Sequence, residues 1–126
     1  MNENPRDGGF TLVELLVVMV VLGLVAGIAL PVFLHLRTRG YDAAMRSDLT
    51  NAVTAEQAYT VSNGAYTVRV SDLTTEGYRP TDGVTPVHVK LVGASYVACV
   101  KHEAARAWLV FDEASGVMSS SSSDCA

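Results

Sequence analysis

Residues 15–34 read LLVVMVVLGLVAGIALPVFL, an uncharged run that begins close to the start of the chain. A helix advances about 1.5 Å per residue, so about twenty such residues match the roughly 30 Å hydrocarbon core of a bilayer. The run therefore predicts a membrane helix. Glu14 directly precedes it. A charged side chain costs roughly 2.5–3.5 kcal/mol at the centre of a membrane helix and less near its end, so a carboxylate here suggests a specific partner.

The rest of the composition is that of a small exported domain. The chain has 126 residues and a formal net charge of −4, and its hydrophobic residues concentrate in residues 10–36. This length favours one folded domain. The nine basic residues are scattered along the chain, so we expect no strong binding of nucleic acid.

No motif for catalysis or cofactor binding stands out. His35, His88 and His102 lie far apart and lack the spacing of metal ligands. No P-loop, nucleophile elbow or dinucleotide fingerprint occurs in the sequence. The adjacent carboxylates Asp112 and Glu113 could hold calcium, although a solvated turn is the favoured interpretation. We expect no enzyme, no metal and no cofactor.

The residues before the apolar run form an unusual leader. Residues 1–9 read MNENPRDGG, with the small residues before the apolar run. An ordinary secretory signal places its small-residue cleavage site after that run. Cleavage after Gly9 would remove the polar leader and keep the apolar helix. A plain single-span anchor is the alternative, and Arg37 and Arg39 after the helix mildly favour the opposite membrane orientation.

The segment GG-FTLVELLVVMVVLGLVAGIALPVF closely resembles the class III signal of type IV pilins and the related pseudopilins. The resemblance covers about 27 residues without a gap, and it displaces the plain-anchor interpretation. It implies that a prepilin peptidase cuts between Gly9 and Phe10 and methylates the new amine of Phe10.

Further residues of the apolar run match the same family pattern. Glu14 matches the family's glutamate, and we expect its carboxylate to pair with the free amine of Phe10 from an incoming subunit. Such a pair is strong in a low dielectric, whereas an unpaired charge is costly. Pro31 matches a helix-kinking proline. Gly23 and Gly27 fall where the family helix loosens in the filament, although their GxxxG spacing also suits close helix packing.

Beyond the apolar run, the pattern predicts that the same helix continues to about residue 62 and stops at Asn63 and Gly64. Its apolar positions recur every three or four residues: Tyr41, Met45, Leu49, Ala52 or Val53, and Tyr59. Polar residues are predicted on the opposite side: Asp42, Arg46, Asp48 and Thr50.

The remainder predicts a loop followed by strands. Residues 65–84 are loop-like, and Ser71 is a plausible N-cap for a short helical turn. Residues 87–92, 96–102 and 107–112 alternate as in an antiparallel meander, with a turn at residues 93–95. The predicted fold is α+β, with one long helix packed on a small three- to four-stranded antiparallel sheet.

The C-terminal region contains the chain's two cysteines. An even number of cysteines in an exported domain favours a Cys99–Cys125 disulfide, and neither cysteine lies in a CxxC motif or in a Cys/His cluster. The bridge would stabilise the small domain by roughly 3–4 kcal/mol. Many type IV pilins pin their C-terminal region with a disulfide, so the resemblance supports this pairing. We interpret residues 119–123, five serines, as a flexible solvated segment or a site of O-glycosylation.

Together these observations predict a leader at residues 1–9, a membrane or filament-core helix at 10–36, its amphipathic outer half at 37–63, and a sheet domain at 64–126. The resemblance implies a structural subunit of a type IV pilus. The resemblance further implies that the subunit begins as a precursor in the bacterial inner membrane and ends in an extracellular filament that serves adhesion, motility or DNA uptake. Implied partners are copies of itself, prepilin peptidase, the assembly platform and its ATPases. The alternatives are a pseudopilin of a type II secretion-like system and a monomeric membrane-tethered binding domain.

Overall fold

The structure is a computed structural model that describes residues 8–125, so residues 1–7 of the predicted leader lie outside the described residues. Helix α1 spans Leu12–Asn63, 52 residues, which confirms the single long helix expected from the sequence. It ends where predicted. Gly64 has a φ of +75°, and its N–H donates to the carbonyl of Thr60 at 2.7 Å. This left-handed conformation favours glycine, because glycine has no Cβ atom that would clash with the backbone.

A short helix and four strands follow α1. They are α2 (Val70–Thr75), β1 (His88–Val92), β2 (Ser95–Val100), β3 (Trp108–Asp112) and β4 (Val117–Ser121). The strands pair antiparallel in the order β1-β2-β3-β4, so the predicted α+β fold and meander are confirmed. Val92 pairs with Ser95 across a two-residue turn in which Gly93 has a φ of +64°. A glycine at this first turn position is typical of the type II′ hairpin.

Strand β4 corrects the flexible interpretation of the serine run. Ser119, Ser120 and Ser121 pair with Val110, Leu109 and Trp108 of β3. Met118, on the same strand, packs against the buried core. The backbone hydrogen bonds of a hairpin form whatever the side chains are. One apolar side chain, here Met118, determines which face of the strand points towards the core. The prediction was therefore wrong for Ser119–Ser121, whereas Ser122 and Ser123 follow the strand.

Two other local predictions were wrong. Helix α2 begins at Val70, after Arg69 in an extended conformation, so Ser71 lies inside the helix and does not cap it. Asp48 was placed on the polar side of α1, but it is fully buried. For Asp48, hydrogen bonds with the distant residues Tyr78 and Thr81 outweigh the local pattern.

The chain divides into two compact units, Met1–Leu36 and Arg37–Ala126, and the buried core belongs to the second. Small and medium apolar side chains of α1 meet side chains from the loops and the sheet. The core residues are Met45, Leu49, Ala52, Ala55, Leu73, Tyr78, Val84, Val87, Tyr96, Ala98, Val100 and Leu109. The predicted Cys99–Cys125 disulfide is present, and it ties β2 to the segment that follows β4.

The buried Asp48 carboxylate organises the loop between α2 and β1. Its Oδ2 accepts a hydrogen bond from the Tyr78 hydroxyl at 2.7 Å, and its Oδ1 accepts one from the Thr81 N–H at 2.6 Å. The Tyr78 hydroxyl in turn accepts a hydrogen bond from the Val87 N–H at 3.1 Å. Burial and the neighbouring Asp48 raise the pKa of Tyr78, so the hydroxyl keeps its proton and can donate. One carboxylate thus holds both ends of the loop against the helix.

A second buried carboxylate, Glu56, lies on the same helix. Its Oε2 accepts a hydrogen bond from the Thr67 N–H at 3.2 Å, but Oε1 has no hydrogen-bond partner among the described residues. The Tyr96 hydroxyl is also buried without such a partner. Burial, opposed by the Thr67 hydrogen bond and assisted by the charge of Asp72, raises the pKa of Glu56. The ionised form is therefore less favourable in the folded protein than in the unfolded chain.

Replacing Tyr78 with Phe should destabilise the sheet domain. The change removes a hydroxyl that serves both Asp48 and Val87, and a buried group left unpaired costs about 1–3 kcal/mol. Denaturant unfolding followed by the fluorescence of Trp108, the only tryptophan, measures this loss. Tyr41→Phe is the matched control, because the hydroxyl of this half-buried tyrosine lies outside the Asp48 network. Equal effects of the two variants would contradict the role given to Asp48.

The stability of the domain should fall as the pH rises above the ordinary Glu56 pKa of 4.5. The folded protein binds the Glu56 proton more tightly than the unfolded chain does, and this difference stabilises the fold. The stabilisation is complete below the ordinary pKa and is lost as the pH rises through the raised pKa of the folded protein. Glu56→Gln should therefore flatten the dependence of the unfolding free energy on pH. The exposed Glu103→Gln is the control and should keep the wild-type slope. A Glu56→Gln variant with that same slope would refute the assignment.

Candidate functional site

The first half of α1 presents apolar side chains in every direction. Phe10 is 83% exposed, Leu24 65% and Leu36 58%, and the other large apolar side chains between them are at least half exposed. By length and composition, α1 is the one described helix that could cross a membrane. A contiguous apolar surface of this size marks a site of membrane or protein interaction. The candidate site is this half-helix together with the residues that precede it.

The helix begins with a capping box built from Thr11 and Glu14. The Thr11 N–H donates to Glu14 Oε2 at 2.8 Å, and the Thr11 hydroxyl donates to the same oxygen at 3.0 Å. The Glu14 N–H lies 3.2 Å from Thr11 Oγ1 in the reciprocal hydrogen bond. A threonine followed three residues later by glutamate is the sequence signature of this motif. The capping box was not predicted from the sequence, because Glu14 was interpreted only as a charge beside a membrane run.

The capping box uses one oxygen of the Glu14 carboxylate. Both hydrogen bonds from Thr11 go to Oε2, and no described residue donates to Oε1. A carboxylate also interacts favourably with the positive end of the helix dipole. Glu14 therefore has a local structural role and keeps an oxygen that can accept a further hydrogen bond.

The predicted cleavage residues lie just before the helix. Gly8, Gly9 and Phe10 are exposed and have no regular secondary structure, and α1 begins only at Leu12. The Gly9–Phe10 bond is thus outside the hydrogen-bonded helix. The structure brings Thr11, and not Phe10, to the Glu14 carboxylate of the same chain.

The predicted flexible segment lies within a continuous helix. Helix α1 includes Gly23, Gly27 and Pro31 without a break, so the kink and the loosening remain predictions. A Cβ atom added at either glycine would meet no atom within 4 Å, other than the helix's own nearby backbone. Packing against the described residues therefore does not explain why either position is glycine.

A cluster of possible metal ligands was missed from the sequence. Single ligand atoms of His88, Cys99 and Asp124 all lie within 4.8 Å of one another, although these residues are separated by up to 36 positions. Cys99 is bonded to Cys125, so it has no thiolate to offer in this state. Asp112 and Glu113 fit the turn interpretation, since they accept hydrogen bonds from the Ala114 N–H and the Ser95 hydroxyl.

The fold and the N-terminal segment place the chain in a recognisable class. Residues 4–30 match the family described as the prokaryotic N-terminal methylation motif. The chain is similar to the type IV wide pilus major component PilA4 of Thermus thermophilus, with 30% identity over 110 residues that cover 86% of this chain and 84% of that protein. The chain therefore belongs to the type IV pilin family.

A second relative extends this likeness. The type IV major pilin protein PilA of Myxococcus xanthus is 33% identical over 81 residues, which cover 64% of this chain. The matched region spans only 35% of that longer protein. Both relatives are named as major pilus components, so family membership supports a structural pilus subunit.

Proposed function

We propose that this protein is made as a precursor, cut between Gly9 and Phe10, methylated on the Phe10 amine and polymerised into a type IV pilus filament. The single observation that carries the proposal is the apolar half-helix, which is exposed on all sides and lies largely within the methylation motif matched over residues 4–30. A prepilin peptidase performs the cleavage and methylation. An assembly platform with its ATPases supplies the work, because the chain carries no nucleotide-binding motif.

Processing suits the local structure. A peptidase needs an accessible target bond, and Gly9 and Phe10 are exposed and lie outside regular secondary structure before α1. The cut leaves the capping box intact, because the Thr11 N–H remains an amide after Phe10 becomes the first residue. The mature chain thus keeps a stable helix start while it gains a free amine next to it.

Polymerisation gives the apolar half-helix its surroundings. Before assembly, lipid of the inner membrane covers these side chains, and in the filament the helices of neighbouring subunits replace the lipid. Contacts between different surfaces of identical subunits do not close, so they generate an open helical filament. The extracellular filament then serves adhesion, motility or DNA uptake.

Glu14 sets the register of this assembly. Its Oε1, which Thr11 does not use, accepts a hydrogen bond from the Phe10 ammonium of a neighbouring subunit. In apolar surroundings, either charge without the other would be strongly unfavourable, so subunits that are out of register are rejected.

Two substitutions separate the capping role of Glu14 from its charge. Glu14→Gln keeps a residue that can form the capping box but removes the charge. Thr11→Ala weakens the cap, by about 0.5–2 kcal/mol, and keeps the charge. We expect both variants to be processed. We expect Glu14→Gln to form at least about tenfold fewer filaments, because a charged hydrogen bond contributes about 1.5–3 kcal/mol, whereas Thr11→Ala still assembles.

Sheared surface filaments, quantified by immunoblotting and electron microscopy, provide the measurement. Normal filaments from Glu14→Gln together with failure of Thr11→Ala would assign Glu14 to the cap alone.

Mass spectrometry of the protein purified from its native host tests the processing directly. We expect a mature chain that begins at Phe10 with one added methyl group, and with two hydrogens fewer than the reduced chain because of the disulfide. The Gly9→Trp variant, which blocks the site with a bulky side chain, is the control and should retain Met1. A wild-type protein that also retains Met1 would refute the proposed processing.

A further inference from the structure

Three potential metal ligands, His88, Cys99 and Asp124, converge where the C-terminal segment lies over the outer face of the sheet, and a fourth, Cys125, is bonded to Cys99. His88 Nδ1 lies 2.8 Å from Asp124 Oδ2, and Asp124 Oδ1 lies 3.2 Å from Cys99 Sγ. Cys125 Sγ is bonded to Cys99 Sγ and lies 3.5 Å from the carbonyl oxygen of His88. An imidazole, a carboxylate and the Cys99 sulfur thus lie within 4.8 Å of one another, and the Cys125 sulfur is bonded to the Cys99 sulfur.

The fold creates this cluster through strand register. His88 of β1 and Cys99 of β2 are paired residues, so their side chains project from the same face of the sheet. The segment after β4 then places Asp124 and Cys125 over that pair. The Trp108 ring lies 5.4 Å from the His88 ring, centroid to centroid, and forms a wall beside the imidazole. Three separate parts of the chain therefore contribute to the cluster.

We propose that the reduced chain, before its disulfide forms, binds a thiophilic divalent cation such as Zn²⁺ through Cys99, Cys125, His88 and Asp124. Thiolate, imidazole and carboxylate are the three ligand types that zinc takes from proteins, and four ligands complete its tetrahedron. The thiolates select zinc over calcium or magnesium, which prefer oxygen ligands. The proposal does not depend on filament assembly.

The required movement is small. Two thiolates on one tetrahedral zinc ion, each at about 2.3 Å, have their sulfurs about 3.8 Å apart, so the two sulfurs separate once the disulfide is absent. Cys125 lies in the segment after β4, which has no regular secondary structure, whereas Cys99 is buried within β2. The displacement therefore falls on the C-terminal segment and leaves the sheet register unchanged.

The two states exchange by balanced chemistry. On metal binding, the two thiols each lose a proton to solvent, and two zinc–sulfur bonds form. On later oxidation, the two thiolates give two electrons to the disulfide of an oxidising protein, which takes up two protons and becomes a dithiol. The Cys99–Cys125 bond forms and the ion is released. Until then, zinc would hold the C-terminal segment on the sheet in the place of the disulfide.

Metal titration of the full chain in detergent tests the proposal. The protein is reduced with a phosphine under nitrogen and titrated with Co²⁺, whose visible bands report tetrahedral geometry and whose ultraviolet bands report thiolate ligation, and Zn²⁺ is then added as competitor. We expect one ion per chain for the reduced wild type and none for the oxidised protein. Reduced Cys99→Ser and Cys125→Ser should each lose thiolate intensity.

The decisive comparison concerns the ligands that are not cysteines. His88→Ala and Asp124→Asn should each raise the Zn²⁺ dissociation constant of the reduced chain at least about tenfold. His35→Ala, which removes a histidine from the other compact unit, is the control and should bind like the wild type. Reduced wild type without tetrahedral bands would overturn the proposal. So would a His88→Ala variant with the affinity of His35→Ala, since the cysteines alone would then hold the ion.

Discussion

An apolar helix surface needs surroundings other than water, and this requirement governs the rest of the molecule. Helix α1 meets two different requirements along one continuous backbone. Its first half is apolar and exposed all round, whereas its second half buries one face that includes Met45, Leu49 and Ala52. Burying apolar surface is worth roughly 25 cal/mol per Å², so the first half gains that stabilisation only from lipid or from other subunits. The second half obtains it within the chain, which allows the sheet domain to fold on its own helix.

The carboxylate at the start of the helix reconciles two demands that first look contradictory. A charge is unfavourable beside a membrane run, yet the first N–H groups of a helix need acceptors, because no preceding turn supplies them. Glu14 supplies an acceptor for the Thr11 N–H at the start of the helix, and the helix dipole partly offsets the unfavourable free energy of its charge. Because this local role uses only Oε2, it does not compete with an ion pair through Oε1. The capping role of Glu14 in the single chain is therefore compatible with the ion pair that we propose between chains.

The sequence predicted those elements whose cause is local, and missed those whose cause is distant. Periodicity and the Asn63–Gly64 stop were enough for α1, and alternation was enough for β1, β2 and β3. Asp48 was misplaced because its partners, Tyr78 and Thr81, follow it by 30 and 33 residues. Strand β4 was missed because serines carry no hydrophobic pattern, and its pairing comes from the β3 hairpin. At the candidate site the motif residues were identified by resemblance to the signal of type IV pilins, but the use of Glu14 in a capping box was overlooked although its signature was present.

The fold brings His88, Cys99 and Asp124 together although they are far apart in the sequence, so sequence spacing alone does not predict this cluster. With a limited core, this domain relies on directional links: the Asp48 network holds the loop before β1, and the disulfide holds the segment after β4. In the β1–β2 register Cys99 lies beside His88, and the disulfide joins Cys99 to Cys125 of the segment after β4. A ligand set assembled by that same register would hold the cysteines near each other before oxidation.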